Sequence, residues 1–136
     1  MNKDVDAFKK ELGNYSYYRG DLIDISEQIQ IFEYKRSNIH GIDPSKEHSL
    51  SGTAWVESEE FRRISDELDK LNARKELRIR QISYIESVLD QMTEEARKAC
   101  VLIYACKKTY SEVSRELMMS RNALFYRVQK ELDEIL

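Results

Sequence analysis

Proline occurs once in these 136 residues and glycine four times. So few breakers argue against a sheet built on tight turns and suit long helices. No stretch approaches the roughly 20 apolar residues that a membrane span needs. The opening, MNKDVDAFKK, carries acids and has no apolar core, so it does not read as a secretory signal. No membrane contact is expected, and the protein reads as cytoplasmic. The two cysteines, Cys100 and Cys106, stand six positions apart on one helix, point in different directions and cannot bridge each other. Both are expected to be small core residues. With 22 basic and 25 acidic residues the net charge is −3, which excludes a uniformly basic coat but leaves room for a local basic patch. A Gly-rich phosphate loop, a paired-carboxylate arrangement and a Ser/His/Asp set are all missing, so no catalytic residues, and hence no enzyme, are expected. His40 and His48 share a polar loop without an acid or cysteine cluster, so they read as solvated. No metal and no cofactor are expected.

What the chain does have is helical periodicity. Val5, Phe8 and Leu12 share one helical face before Gly13 interrupts. From Tyr15 a longer pattern runs through Tyr18, Leu22, Ile25, Ile29, Phe32 and Ile39, with Arg36 at a seam position, the heptad signature of lengthwise helix packing. It breaks at HGIDPSKEHSLSGT, predicting a loop over 40–54. A second seam follows through Phe61, Ile64, Leu68, Leu71, Ile82, Ile85, Leu89 and Met92, with Lys75 and Arg78 at its two intervening positions. Ser58, followed by Glu59 and Glu60, reads as its helix start. Two such helices joined by one loop fold back most simply as an antiparallel hairpin. Residues 1–92 are thus expected to be a coiled-coil-like helical hairpin for oligomerisation or docking. Lys75 and Arg78 would then face Ile25 and Leu22, either with stems snorkelling outwards or met by acids of another chain.

Residues 93–136 have a different character. Thr93 starts a helix with Glu94 and Glu95 in its first turn, and Val101, Leu102 and Ala105 form its buried face. A break near Lys107 and Lys108 precedes Thr109 and Glu112, spaced as a capping box. The next helix turns Val113 and Leu117 inwards; then MMS turns the chain, and Ser120 caps a final helix. Two short helices joined by a tight turn make a helix-turn-helix, with small Ser114 at the crossing and Leu124 buried ten positions later. Two positions depart from that motif. Met118 stands where glycine is usual, implying a non-glycine turn, and Arg127 stands where an apolar residue is usual, implying a partly rotated second helix.

From Lys107 to Lys130 six bases oppose two acids, a net of +4. With Leu124, Val128, Leu132 and Ile135 buried, the opposite face carries Asn122, Tyr126 and Gln129, flanked by Phe125 and Lys130. Asn and Gln can bond adenine in a bidentate fashion, and an aromatic edge can cover a thymine methyl. These five are the expected base readers. Lys107, Lys108, Ser111, Arg115, Arg121 and Arg127 are the expected phosphate contacts. The competing reading of Phe125, Tyr126 and Arg127 is packing aromatics and a solvated arginine in a dimer helix.

The stretch MTEEARKACVLIYACKKTYSEVSRELMMSRNALFYRVQKELDEIL resembles region 4 of sigma factors: an acid-rich helix, a break, a short helix, then "SR" and a recognition helix. Preceded by a long helical hairpin with a polar loop, the whole chain resembles phage late-gene transcription regulators of the ArpU and RinA type. The resemblance is architectural over nearly the full length and reaches motif level only over 93–136. In that family the aromatic-aromatic-arginine cluster usually sits one residue closer to the capping serine. The resemblance implies an all-α dimer in the bacterial host cytoplasm that binds promoter DNA and activates phage late genes for packaging, assembly and lysis. Two alternatives stand beside it: a sigma-like or anti-sigma adaptor acting mainly through bacterial RNA polymerase, and a structural helical assembly protein.

Overall fold

Among the described residues the regular structure is six α-helices and one π-helical turn, and each starts or stops where local chemistry allows. The computed structural model describes the backbone of residues 2–40 and 51–136 and the side chains of residues 2–39 and 59–136. The order is α1 (Lys3–Gly13), α2 (Tyr15–His40), α3 (Ser51–Asp90), α4 (Glu94–Cys100), α5 (Tyr110–Leu117) and α6 (Arg121–Ile135). A π-helical turn, Val101–Ala105, extends α4. Among the described residues none of the helices is long and apolar enough to cross a membrane. Positions 41–50, the body of the loop predicted over 40–54, lie outside the described residues, as do both histidine side chains. The remainder of that prediction needs correcting, because α3 already begins at Ser51. Ser58 therefore lies inside a helix and is not its cap.

The chain divides into two compact units, residues 21–78 and residues 1–20 with 79–136. In the first, α2 and α3 lie antiparallel. Asp21 near the start of α2 meets Arg74 and Arg78 of α3 at 3.1 and 2.7 Å, while Arg36, further along α2, lies over the Phe61 ring at 6.0 Å. Between these points Ile25, Ile29, Ile64, Leu68 and Leu71 form a buried cluster, with Phe32 and Ile39 packed against it. A fully buried aliphatic side chain of this size contributes about 1.5–3 kcal/mol. Arg78 is thus met by an acid of its own chain, an outcome that neither sequence reading contained. The Arg78 hydrogen bond holds the Asp21 carboxyl below its ordinary range, with Arg74 adding its charge.

In the other unit α1 is capped by Asn2, whose side chain accepts from the Asp4 amide at 3.0 Å. Asp4 and Asp6 favour its positive end. Its face of Val5, Phe8 and Leu12 is buried as the spacing predicts. That face packs into one core with Ile85 and Leu89 of α3, Val113 of α5 and Leu124, Val128 and Leu132 of α6. The division expected at 92/93 would assign α1 and the end of α3 to the hairpin, yet their side chains share this core. Phase also shifts in the π-helical turn. Ile103 is the buried residue there, whereas Val101, Leu102 and Ala105 are half-buried at the core's edge. The wider turn holds an extra residue, so a face read at 3.6 residues per turn is displaced. Cys100 is fully buried, but Cys106 is exposed, so only the first is a core thiol. Burial pushes the Cys100 thiol up to about 12.

Candidate nucleic-acid interface

The break that precedes α5 is made by Lys107, whose φ of 60° lies in the left-handed region. Thr109 then caps α5 by accepting from the Glu112 amide at 3.2 Å. The reciprocal half of the expected capping box is absent as such, because the Glu112 carboxylate instead takes the Thr109 hydroxyl hydrogen at 3.3 Å. On the inner side Val113 is fully buried; Ser111 and Arg115 face outwards, exposed.

Met118 closes α5 with φ 55° and ψ 40°, the left-handed conformation that glycine adopts without strain. The turn is therefore of the glycine type after all, with methionine accepting the strain. Ser114 secures it. The Met118 amide and, at 3.1 Å, the Met119 amide both donate to the Ser114 carbonyl, and the Ser114 hydroxyl donates back to the Met119 carbonyl. The second of these amide bonds is the long-range bond of a Schellman turn. The small residue at the crossing is thus also the turn's anchor. Ser120 caps α6, accepting from the Ala123 amide at 3.2 Å.

Three side chains hold α6 on its inner side: Leu124, Val128 and Leu132, each no more than 1% exposed. On the far side Asn122, Phe125, Tyr126 and Lys130 are exposed, Tyr126 by 66% and Phe125 by 50%. Phe125 leans edge-on against Tyr110, ring centres 5.9 Å apart. That contact gives one end of Phe125 a packing role and leaves the other in solvent. The Tyr110 hydroxyl is in turn 2.9 Å from that of Tyr104, and burial together with this bond pushes its ionisation well up. Gln129 stands apart from the other expected readers. It is half-buried and accepts a hydrogen bond from the Lys9 ammonium of α1 at 2.7 Å.

Arg127 sits in an ion-pair cluster rather than in open solvent. Its guanidinium contacts Glu95 of α4 at 2.6 Å and Glu131 of α6 at 3.4 Å. Glu131 accepts from the Thr93 amide at 2.7 Å and from the Thr93 hydroxyl at 2.8 Å. Thr93 thus begins α4 as expected but spends its hydroxyl on α6 and makes no side-chain cap. Burial pushes the Glu131 carboxyl up, yet the two Thr93 bonds and Arg127 outweigh it and hold the group below the usual range. These carboxylates account for an arginine at the position where the sequence pattern predicts an apolar residue.

Of the six bases between 107 and 130, Lys108 is also committed, to Glu116 at 2.7 Å. Lys107, Arg115, Arg121 and Lys130 have no ion pair among the described residues. The structure thus brings Asn122, Tyr126, Lys130 and Arg121 onto open surface of one helix. It places Ser111 and Arg115 on the outer face of α5, and ties Gln129 and Arg127 to neighbouring helices. Missed from sequence were Lys9 and the Thr93–Glu95–Arg127–Glu131 cluster; both join residues far apart in the chain. Among the described residues no group of three or more His, Cys, Asp or Glu is placed to hold a metal ion. No protein-family model, curated protein or solved structure matches this chain.

Proposed function

We propose that this chain is a sequence-specific DNA-binding transcription activator in which α5, the Met118 turn and α6 act as a helix-turn-helix. The observation that carries this reading is the outer face of α6. Asn122, Tyr126 and Lys130 stand exposed there on a helix whose opposite side is locked into the core, directly after a turn of helix-turn-helix length. A helix of this width fits the major groove. Asn122 would bond an adenine edge, Tyr126 would cover a thymine methyl and Lys130 would reach a guanine, while Arg121, Arg115, Ser111 and Lys107 would contact phosphates. Phe125 would support the face from its seat on Tyr110. Arg127 would act by holding α6 against α4, since its guanidinium is already engaged by two carboxylates.

The antiparallel pairing of α2 and α3 supports an oligomerising or docking arm. Ile23, Ile31 and Tyr34 of α2 are more than half exposed and would be available to a second copy. The likeness to sigma region 4 and to phage late-gene regulators extends the proposal to promoters of late genes. A mobility-shift titration without polymerase, on fragments from upstream of such genes, tests it. Specific, salt-sensitive binding that Tyr126→Ala reduces to the level of an unrelated duplex is expected. Binding seen only when RNA polymerase is added would replace this reading with the adaptor one.

A further inference from the structure

We infer that α1 carries a second phosphate-binding surface, in which Lys9 and Lys10 join Lys107 to grip the nucleic-acid backbone beside α6. This rests on the DNA reading of α6 and adds to it a contact from the other end of the chain. Lys9, Lys10, Gly13 and Lys107 line one open groove with Asp6 and Asn14. Three lysines thus line the groove with a single acidic residue, and none of the three forms an ion pair among the described residues. A groove whose lining carries more positive than negative charge attracts a polyanion, the more strongly the lower the salt.

The backbone favours this convergence at a cost. Lys107 occupies the left-handed region, disfavoured by roughly 1–2 kcal/mol for a residue with a side chain. Its ammonium comes so close to Gly13 that a Cβ there would lie 2.7 Å from it. Lys9 supplies the link to the reading helix: it lies over the Tyr104 ring at 5.2 Å and donates to Gln129 of α6 at 2.7 Å. On α6, Gln129 lies on the same flank as Asn122 and Phe125. The opposite flank carries Arg127 and Glu131, where carboxylates already neutralise the arginine. A duplex that receives α6 in its major groove, about 12 Å wide, has a phosphate row on either side of the helix. The row on the Gln129 flank would meet the α1 lysines.

The test is the salt dependence of binding to a mixed-sequence DNA duplex, measured by fluorescence anisotropy for the full chain, Lys10→Gln, the double variant Lys9→Gln/Lys10→Gln, and Arg121→Gln. Each lost phosphate contact lowers the slope of log K against log salt by about 0.9. Lys10→Gln should therefore lower it by about one and the double variant by about two. The ratio of affinities for two different duplex sequences should stay unchanged. Lys10 is exposed, so its loss does not disturb packing, and an unaltered thermal midpoint checks this. If the parent binds and Arg121→Gln lowers the slope while both lysine variants keep the parental one, the α1 surface is refuted and the α6 reading stands. If the parent shows no salt-dependent binding, both fall together.

Discussion

Replacing Met118 by glycine isolates the strain in the α5–α6 turn, because it keeps the amide that bonds the Ser114 carbonyl and removes only an exposed side chain. Its side chain is 93% exposed, so deleting it forfeits almost no buried area. Its backbone, at φ 55° and ψ 40°, is left-handed, which costs a residue with a Cβ roughly 1–2 kcal/mol. Glycine removes that cost but adds about 0.5–1 kcal/mol of chain entropy to the unfolded state. The difference leaves Met118→Gly more stable by about 0.5–1 kcal/mol. For a chain of this size that raises the thermal midpoint by roughly 2–4 °C, and urea unfolding followed by circular dichroism should show a higher midpoint at an unchanged slope. Met118→Val should move the other way, by about 1 kcal/mol or more, because a β-branched side chain tolerates this region least. A glycine variant less stable than the parent would refute the argument. It would mean that the methionine side chain makes contacts in solution that offset its strain.

Three further outcomes follow from the same structure. Titration of thiols with an aromatic disulfide should find one fast thiol, Cys106, in the native protein and two in denaturant, since Cys100 is buried with its ionisation pushed up to about 12; two fast native thiols would count against the burial. Glu131 has a folded pKa below the ordinary 4.5, so its contribution is present above that value and lost as pH falls through the folded pKa. Glu131→Gln should accordingly flatten the acid limb of a plot of thermal midpoint against pH, with Asp21, depressed in the same direction, responsible for part of what remains. Leu124→Ala should lose about 2–5 kcal/mol, because its side chain is 1% exposed at the centre of the α6 packing, and a loss below 1 kcal/mol would show that α6 is not seated as described.

The periodic features were legible from sequence because they depend only on local geometry. An apolar residue every three or four positions announces a helix and its buried side, and so Val5, Phe8, Leu12, Leu124, Val128 and Leu132 were all anticipated. Caps were legible for the same reason at Thr109 and Ser120, where a short side chain reaches an amide three residues ahead. The outward placement of Asn122, Tyr126 and Lys130 on α6 also followed, since three buried positions leave little freedom for which residues face outwards, whereas Gln129 is half-buried. Local rules failed where geometry departs from the ordinary helix. The π-helical turn moved the buried position to Ile103, and Met118 adopted a conformation that composition assigns to glycine.

What tertiary structure alone decided is which polar groups are already spoken for. Arg127 and Gln129 carry the chemistry of nucleic-acid contacts on a helical wheel. Only the folded chain brings Glu95 within 2.6 Å of the first and Lys9 within 2.7 Å of the second. The same holds for Arg78, whose partner Asp21 lies 57 positions away. Sequence periodicity orients a residue relative to its own helix axis, and a charge's commitment depends on what the neighbouring helix presents. Long-range packing therefore separated Arg115, Arg121 and Lys130, which form no ion pair among the described residues, from the bases that hold the chain together.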